Sequence, residues 1–270
     1  MLKKQFKIVY ITLDSPQTRY FGNKLSKLFP DNLELIIVQK NKKQKKEPVW
    51  NRIKKMKRII LVIENGYYSL LLRLSKKMQH TLRLFWKSTH SEYSSPYQAP
   101  IMKVDSINDE SVRTALTEIK PDLIVVCRSA LLEKHIIQTA TYVINLHYGL
   151  CPHYRGTISN QTAMYKNDPD HIGSTIHFIN SGVDSGNIIK TIPVIWKNSI
   201  ETSFQDLNDR AFVEYLKVVN SFVQCVVPVG IPQNMKIGTN TFFSKWTPKM
   251  RYKTCQNMTQ WQKTLIKKKD

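Results

Sequence analysis

Four short apolar runs, Phe6–Leu13, Leu33–Val38, Leu123–Cys127 and Tyr142–Leu146, constrain the fold more than any other feature of the chain. They are apolar nearly throughout, not at alternate positions, which fits strands covered on both faces in a parallel sheet. Between the first two, Asp14-Ser15-Pro16 supplies turn chemistry and a helix start, and Tyr20–Leu28 carries Phe21, Leu25 and Leu28 at helical spacing. Pro30-Asp31-Asn32 breaks that helix before the second strand. Strand, helix and strand over roughly thirty residues make a βαβ opening, and such a unit predicts a parallel sheet.

Residues 40–95 interrupt the alternation. Lys40–Lys46 reads as a basic loop, Trp50–Ile63 and Tyr67–Trp86 as two helical stretches separated by Glu64-Asn65-Gly66, and Ser88–Ser95 with Pro96 as a linker. The pattern then resumes with a strand at Met102–Val104 and a helix at Asn108–Ile119, whose Val112, Leu116 and Ile119 share a face. Further helices are expected at Leu131–Thr139, Thr157–Tyr165 and Thr202–Val227, and strands at Ser174–Ile179 and Ile188–Val194. The expected class is α/β, a doubly wound, mainly parallel sheet. Residues 1–227 would form the main domain with a basic helical insertion at 40–95, and 228–270 a short mixed extension.

Charge is the compositional outlier: 41 Lys and Arg against 20 Asp and Glu give a net +21 over 270 residues. Residues 40–87 carry +13 and residues 245–270 carry +7, while 88–244 sum to −2. A nucleic-acid-binding domain usually carries its basic residues on the folded binding face, whereas here they look added to a neutral body. Basic helices with embedded Leu, Phe and Trp have three readings: contact with an anionic membrane surface, contact with nucleic acid, or packing on the sheet edge to form a homodimer. The four cysteines lie far apart with no C-x-x-C pair, so free thiols in a reducing cytoplasm are expected, and no disulfide framework or metal site. No apolar run approaches the ~20 residues of a membrane span.

The segment that carries chemistry runs from Asn145 to Ile189. Asn145 and His147 sit at the carboxyl end of a strand, on one side of it by alternation, where open α/β sheets bind ligands. Cys151-Pro152-His153-Tyr154-Arg155-Gly156 follows, and later Ser181-Gly182-Val183-Asp184-Ser185-Gly186 sets one carboxylate among turn residues. An amide to donate to a developing oxyanion, an imidazole to move a proton and a carboxylate to hold the imidazole are groups suited to acyl transfer onto an amine. Cys151 has no paired base and is not read as a nucleophile. His153 and Tyr154 would line the rim, Arg155 would pair a carboxylate while fixing the turn with Gly156, and His135 and His171 read as surface residues.

Asn-x-His, then Leu-x-Pro-x-Tyr-Arg-Gly, then Val-Asp-Ser-Gly about thirty residues on resembles the folate-dependent formyltransferase family. That family includes glycinamide ribonucleotide transformylase, methionyl-tRNA formyltransferase and the sugar-nucleotide N-formyltransferases. The resemblance implies a Rossmann-like formyltransferase domain in which Asn145, His147 and Asp184 are the catalytic trio. It implies 10-formyltetrahydrofolate as donor and tetrahydrofolate as product. The pterin would be bound by the loop Arg128, Ser129, Ala130, Leu131 and Leu132 and by Ile179, Asn180, Gly182 and Val183. Tyr148-Gly149 stands where the family commonly has Pro-Ser, and Cys151 stands in place of a leucine, but no catalytic group is lost.

About forty residues follow the long helix, fewer than the barrel domain of methionyl-tRNA formyltransferases, so no nucleic-acid partner is expected. The blocks around Asp14-Ser15-Pro16, His147-Tyr148-Gly149-Leu150 and Phe243-Ser244-Lys245-Trp246 look most like bacterial formyltransferases of surface-polysaccharide pathways. The acceptor would then be the amine of a GDP- or dTDP-linked amino-deoxysugar. Arg19, Tyr148, Tyr154 and Lys245 are candidate substrate contacts, and Arg251 a further cation for the diphosphate. A methionyl-tRNA formyltransferase-like enzyme and a non-catalytic nucleic-acid-binding relative are the alternatives; the intact trio argues against the second.

Overall fold

The computed structural model describes residues 5–40, 59–83, 95–242 and 246–267. Its strands are β1 (Ile8–Leu13), β2 (Leu33–Gln39), β3 (Ile101–Val104), β4 (Leu123–Cys127), β5 (Tyr142–His147), β6 (Tyr154–Gly156), β7 (Gly173–Phe178), β8 (Ile188–Pro193) and β9 (Thr239–Thr241). The helices are α1 (Pro16–Leu28), α2 (Ile59–Leu74), α3 (Lys76–Arg83), α4 (Glu110–Ile119), α5 (Lys134–Ile137), α6 (Ser159–Tyr165), α7 (Ile200–Val223) and α8 (Pro248–Lys267).

Seven strands form one sheet in the order β3-β2-β1-β4-β5-β7-β8. The first five are parallel, and at the far edge β7 pairs antiparallel with β5 and β8 antiparallel with β7. The chain winds outward from β1 to β2 and β3, then returns to β4 on the other side, as a doubly wound sheet requires. Alternate residues of β1 serve two cores. Ile8 and Tyr10 pack with Phe21 and Leu25 of α1 and Phe212 and Tyr215 of α7, whereas Val9 and Ile11 pack with Val112 and Leu116 of α4. Both faces are therefore covered, which is why β1, β4 and most of β2 read as unbroken apolar runs.

Local chemistry sets the helix bounds. Ser15 caps α1 in a capping box with Thr18, and Pro16 occupies the first turn, so this helix starts ahead of its apolar stripe. Three sequence expectations are corrected. Glu64-Asn65-Gly66 is no helix break: α2 runs through it, with nothing within 4 Å of a Cβ built on Gly66, and the interruption falls at Ser75, whose hydroxyl accepts from Met78 N–H. One glycine costs a helix only ~1 kcal/mol, a toll that packing against α8 offsets. The helix expected at 131–139 shrinks to α5, because Asn108 pins the preceding backbone by donating to Leu131 O (3.0 Å) and accepting from Glu133 N (2.9 Å). The long helix stops at Val223, as Cys225 turns left-handed (φ 62°). The stretches expected at 41–58 and 84–94 lie outside the described residues.

The segment after α7 joins the body. β9 pairs in parallel with β6, and Met258 and Leu265 of α8 enter the main core. Asn257 Nδ2 donates to Met164 O and Tyr165 O at the end of α6. The described cysteines are free, and among the described residues no helix is long and apolar enough to cross a membrane.

A single hydroxyl ties the central strands to α7. Tyr215 Oη accepts from Val126 N–H (3.0 Å) and lies 2.9 Å from both Val126 O and Ile144 O, in the heart of β4 and β5. Its removal leaves buried backbone groups without that partner. Tyr215→Phe should lower stability by about 1–3 kcal/mol, read as a reduced urea midpoint with an unchanged slope.

Candidate active site

A cleft of about 650 Å³ opens at the carboxyl ends of β1, β4 and β5, where the strand order reverses. Leu13, Asp14 and Ser15 line it from β1, Arg128–Leu132 from β4, and Asn145–Tyr148 from β5. Ile179, Gly182, Val183 and Asp184 close one side, and α6 and α7 contribute Asn160, Gln161, Phe204 and Leu207. The volume falls in the ~300–1,000 Å³ range of small-molecule sites. Arg128 (φ 52°) and Asp184 (φ 45°) are both left-handed, a strain that ordinary side chains carry only where surrounding contacts enforce it.

The three residues singled out from sequence converge. Asp184 Oδ2 accepts from Gly156 N–H at 2.8 Å and faces His147 Nδ1 at 3.3 Å; Oδ1 accepts from Asn145 Nδ2 at 3.4 Å and faces His177 Nε2 at 3.4 Å. Asn145 Nδ2 also stands 3.2 Å from His177 Nε2. With a carboxylate and a ring nitrogen on that side, the amide must present its NH₂ there. His147 Nε2 faces Tyr154 O at 3.1 Å, so both nitrogens of this ring look at oxygen acceptors. A neutral imidazole satisfies one of them, and a second proton would satisfy the other.

Two glycines make the approach possible. A Cβ at Gly149 would stand 2.4 Å from His147 Nε2 and from Ser159 Cβ, so Gly149 in place of the family's usual serine lets this ring sit where it does. Gly156 is left-handed (φ 100°), and a Cβ there would meet Thr241 O at 2.1 Å while its N–H holds Asp184.

His177 is a site residue that the sequence does not disclose. It faces Asn145 because β7 pairs antiparallel with β5, with Asn145 opposite His177. The only signal in the sequence is its alternation within an apolar strand, and a lone histidine there usually packs as core.

The other candidates divide. Arg128, Ser129, Ala130, Leu131, Leu132, Ile179, Gly182, Val183 and Tyr148 line the cleft, and Arg128 stacks over the Tyr148 ring at 5.0 Å. Asn180 does not line it; its Oδ1 accepts from Gly182 N and Ser185 Oγ and so shapes the loop. Arg19 holds Asp14 through two bonds of 2.7 and 2.8 Å, and it is Asp14 that lines the cleft. Tyr154 is buried with its hydroxyl on Asp168, and only its carbonyl serves the site. Arg155 donates to Asn240 Oδ1 and Met235 Sδ, not to the carboxylate expected from sequence, because β9 brings Asn240 opposite it. His153 stacks on His171 with ring centroids 3.8 Å apart. Lys245 lies outside the described residues.

Burial alone would raise the Asp184 carboxyl, but the charge of His147, the bond and charge of His177 and the Gly156 N–H outweigh it and hold it well below the carboxylate range. Burial holds the His147 ring below the ordinary histidine pKa against the pull of Asp184. Burial pushes the Cys151 thiol up to about 12, which leaves it inert. Both site shifts are downward, so both groups contribute stability above their unfolded pKa values and lose it as pH falls. Stability in urea should decline below about pH 6.5, where an unfolded histidine takes up a proton, and more steeply below about pH 4. Asp184→Asn should flatten the lower limb, and an unchanged acid profile in that variant would contradict the assignment.

A family model described as formyl transferase matches residues 32–219. Phosphoribosylglycinamide formyltransferase from Haemophilus influenzae is 29% identical over 120 residues, covering 43% of this chain and 56% of the relative. Methionyl-tRNA formyltransferase from Kosmotoga olearia is 30% identical over 138 residues, 46% of this chain and 42% of the relative. The chain thus spans about half the length of the curated relatives it matches. Among solved structures, the N-formyltransferase from Helicobacter canadensis in complex with folinic acid and dTDP-3-aminofucose superposes with a TM-score of 0.56 at 12% identity, covering 92% of this chain and 79% of its own. The last similarity speaks for the fold, and the matched segment holds every strand from β2 to β8 together with Asn145, His147 and Asp184: the chain belongs to the formyl transferase family.

Proposed function

We propose that this protein moves a formyl group from 10-formyltetrahydrofolate to the amine of an amino-deoxysugar nucleotide. The observation that carries the transfer reading is the convergence of Asn145, His147 and Asp184 on one cleft wall. The cleft suits the donor. Leu131, Leu132, Ile179 and Val183 give apolar walls for a flat ring, and the 128–132 and 179–183 backbones offer donors and acceptors along its edge. Bound there, 10-formyltetrahydrofolate would supply an activated formyl group to a neutral amine.

Asn145 Nδ2 would donate to the carbonyl oxygen of that group as negative charge develops on it. Its present contacts with His177 and Asp184, at 3.2 and 3.4 Å, are long enough to yield to a stronger acceptor. His147, kept neutral by burial, would take the amine proton and return it to the departing tetrahydrofolate nitrogen as the old C–N bond breaks. Each ring N–H would then have an acceptor, Asp184 on one side and Tyr154 O on the other. Asp184 would hold the ring and balance its charge, its own ionised state secured by Gly156 N–H. His177 would keep the Asn145 amide turned.

For the acceptor, the sugar reading rests on the sequence blocks named above and on the fold shared with a sugar N-formyltransferase crystallised with a dTDP-amino sugar. Synthesis of O-antigen or another surface polysaccharide would be the setting. The curated relatives keep phosphoribosylglycinamide and methionyl-tRNA as a second reading.

The test offers the full chain 10-formyltetrahydrofolate with dTDP- and GDP-linked 3- and 4-amino sugars, glycinamide ribonucleotide and charged methionyl-tRNA, and reads products by mass for one added formyl group. Formylation of an amino sugar alone is the expected outcome; formylation of either other amine would replace the acceptor assignment, and none would overturn the activity. Asn145→Ala should cut turnover about 10²–10³-fold, by analogy with loss of one oxyanion donor. His147→Asn and Asp184→Asn should each fall by comparable orders with the fold retained, and near-full activity in any of these variants would remove that residue from the mechanism.

A further inference from the structure

Helix α2 leaves an apolar stripe on the outside. Ile63, Tyr67, Leu70 and Leu74, spaced four, three and four residues apart, fall on one stripe and are 67, 58, 54 and 73% exposed. The side flanking the stripe is the anchored one. Glu64 pairs with Lys249 at 2.6 Å, Tyr68 packs on Tyr252 with centroids 5.2 Å apart, and the following helix accepts Cys255 Sγ at Met78 O. A helix held in this way by α8 cannot roll its stripe inward without giving up those contacts. A surface helix of a globular protein normally does the reverse and turns its apolar stripe to the core.

The surroundings of the stripe are cationic. Arg73, Lys76, Lys77 and Arg83 are exposed, Glu64 is the one acidic residue between 59 and 83, and α8 contains no acidic residue at all. The described residues 59–83 of the first basic segment are thereby packed on α8, which carries Lys249, Arg251, Lys253, Lys263 and Lys267. We propose that this face, the Ile63–Leu74 stripe with its basic border, is a docking surface for an anionic phospholipid bilayer, with α2 lying along the headgroup boundary.

Charge decides among occupants. A second copy meeting this face about a two-fold axis would set Arg73, Lys76, Lys77 and Arg83 against the same residues of its mate. Nucleic acid would answer the cations but leave Ile63, Leu70 and Leu74 facing phosphate and water. A bilayer rich in acidic lipid answers both, since acyl chains accept the stripe and headgroups accept the border. No described helix is long and apolar enough to cross a membrane, and the contact proposed is one along the bilayer surface.

The test is co-sedimentation of the full chain with phosphatidylcholine vesicles, with and without phosphatidylglycerol, across a salt series. Binding is expected to the anionic vesicles at low salt, weakened as salt screens the border, and absent with pure phosphatidylcholine. Leu70→Ser with Leu74→Ser should weaken it by about tenfold or more without changing the far-ultraviolet circular dichroism or the urea midpoint. Lys76→Gln with Lys77→Gln should weaken it and flatten the salt dependence. No binding to anionic vesicles at low salt would overturn the proposal, and so would binding that the leucine variant leaves intact. A soluble dimer that the leucine variant dissociates would reassign the face to a second copy, and salt-sensitive RNA binding without vesicle binding would reassign it to nucleic acid.

Discussion

A mostly buried carboxylate organises this protein's cleft. The Asp184 side chain is 16% exposed, and a charge so placed is costly unless several groups answer it. Four do, from three elements: Gly156 N–H at the end of β6, Asn145 and His147 on β5, and His177 on β7. None of the contacts to side chains is short, so no single one fixes the geometry. The carboxylate works as a hub, and its demand for donors turns the amide NH₂ inward and one imidazole nitrogen towards it.

Holding that hub in place draws on residues with no chemistry of their own. Gln233 donates to Asp184 O (3.0 Å) and Gly186 O (2.6 Å), and so ties the loop from behind. The short β6–β9 pair presents Gly156 to the carboxylate and sets Phe242 in the cleft wall. Asp184 accepts a left-handed backbone because its donors are arranged around that conformation, which places strain where binding or reaction can use it. The segment after α7, compositionally a mixed tail, thus helps to build the cleft.

Much of this architecture is legible in the sequence, for identifiable reasons. β1, β4 and β5 are buried on both faces, so their apolar runs are continuous and their bounds fall within about two residues of expectation. Asn145 and His147 share a face by strand alternation, and Asp184 follows in a turn-rich loop. His177 is not legible, because its role depends on antiparallel pairing at one edge of a sheet otherwise predicted parallel. The helix start expected at Leu131 and the break expected at Glu64-Asn65-Gly66 are misplaced for the same kind of reason. A distant asparagine holds the first out of helix, and packing on α8 carries the second through a glycine. Local propensity loses to tertiary contact at these points, and a single sequence does not display the contact.

The distribution of charge separates two questions that the total of +21 merges. Among the described residues, none from 59–83 or from α8 lines the cleft. The cleft wall instead joins two carboxylates, Asp14 and Asp184, the Arg128 cation, the amides of Asn145, Asn160, Gln161 and Asn208, two imidazoles and apolar side chains, so groups of both charges face it. The body that carries it is nearly neutral, at −2 across residues 88–244. Long-range attraction of polyanions is therefore a property of the basic segments 40–87 and 245–270 more than of the residues that line the cleft. If the basic helices serve a surface, they bring the cleft near it without entering its chemistry. On the proposed transfer, acceptor choice would fall to the cleft residues between Asp14 and Tyr148, where Arg128 is held both over an aromatic ring and against Gln17.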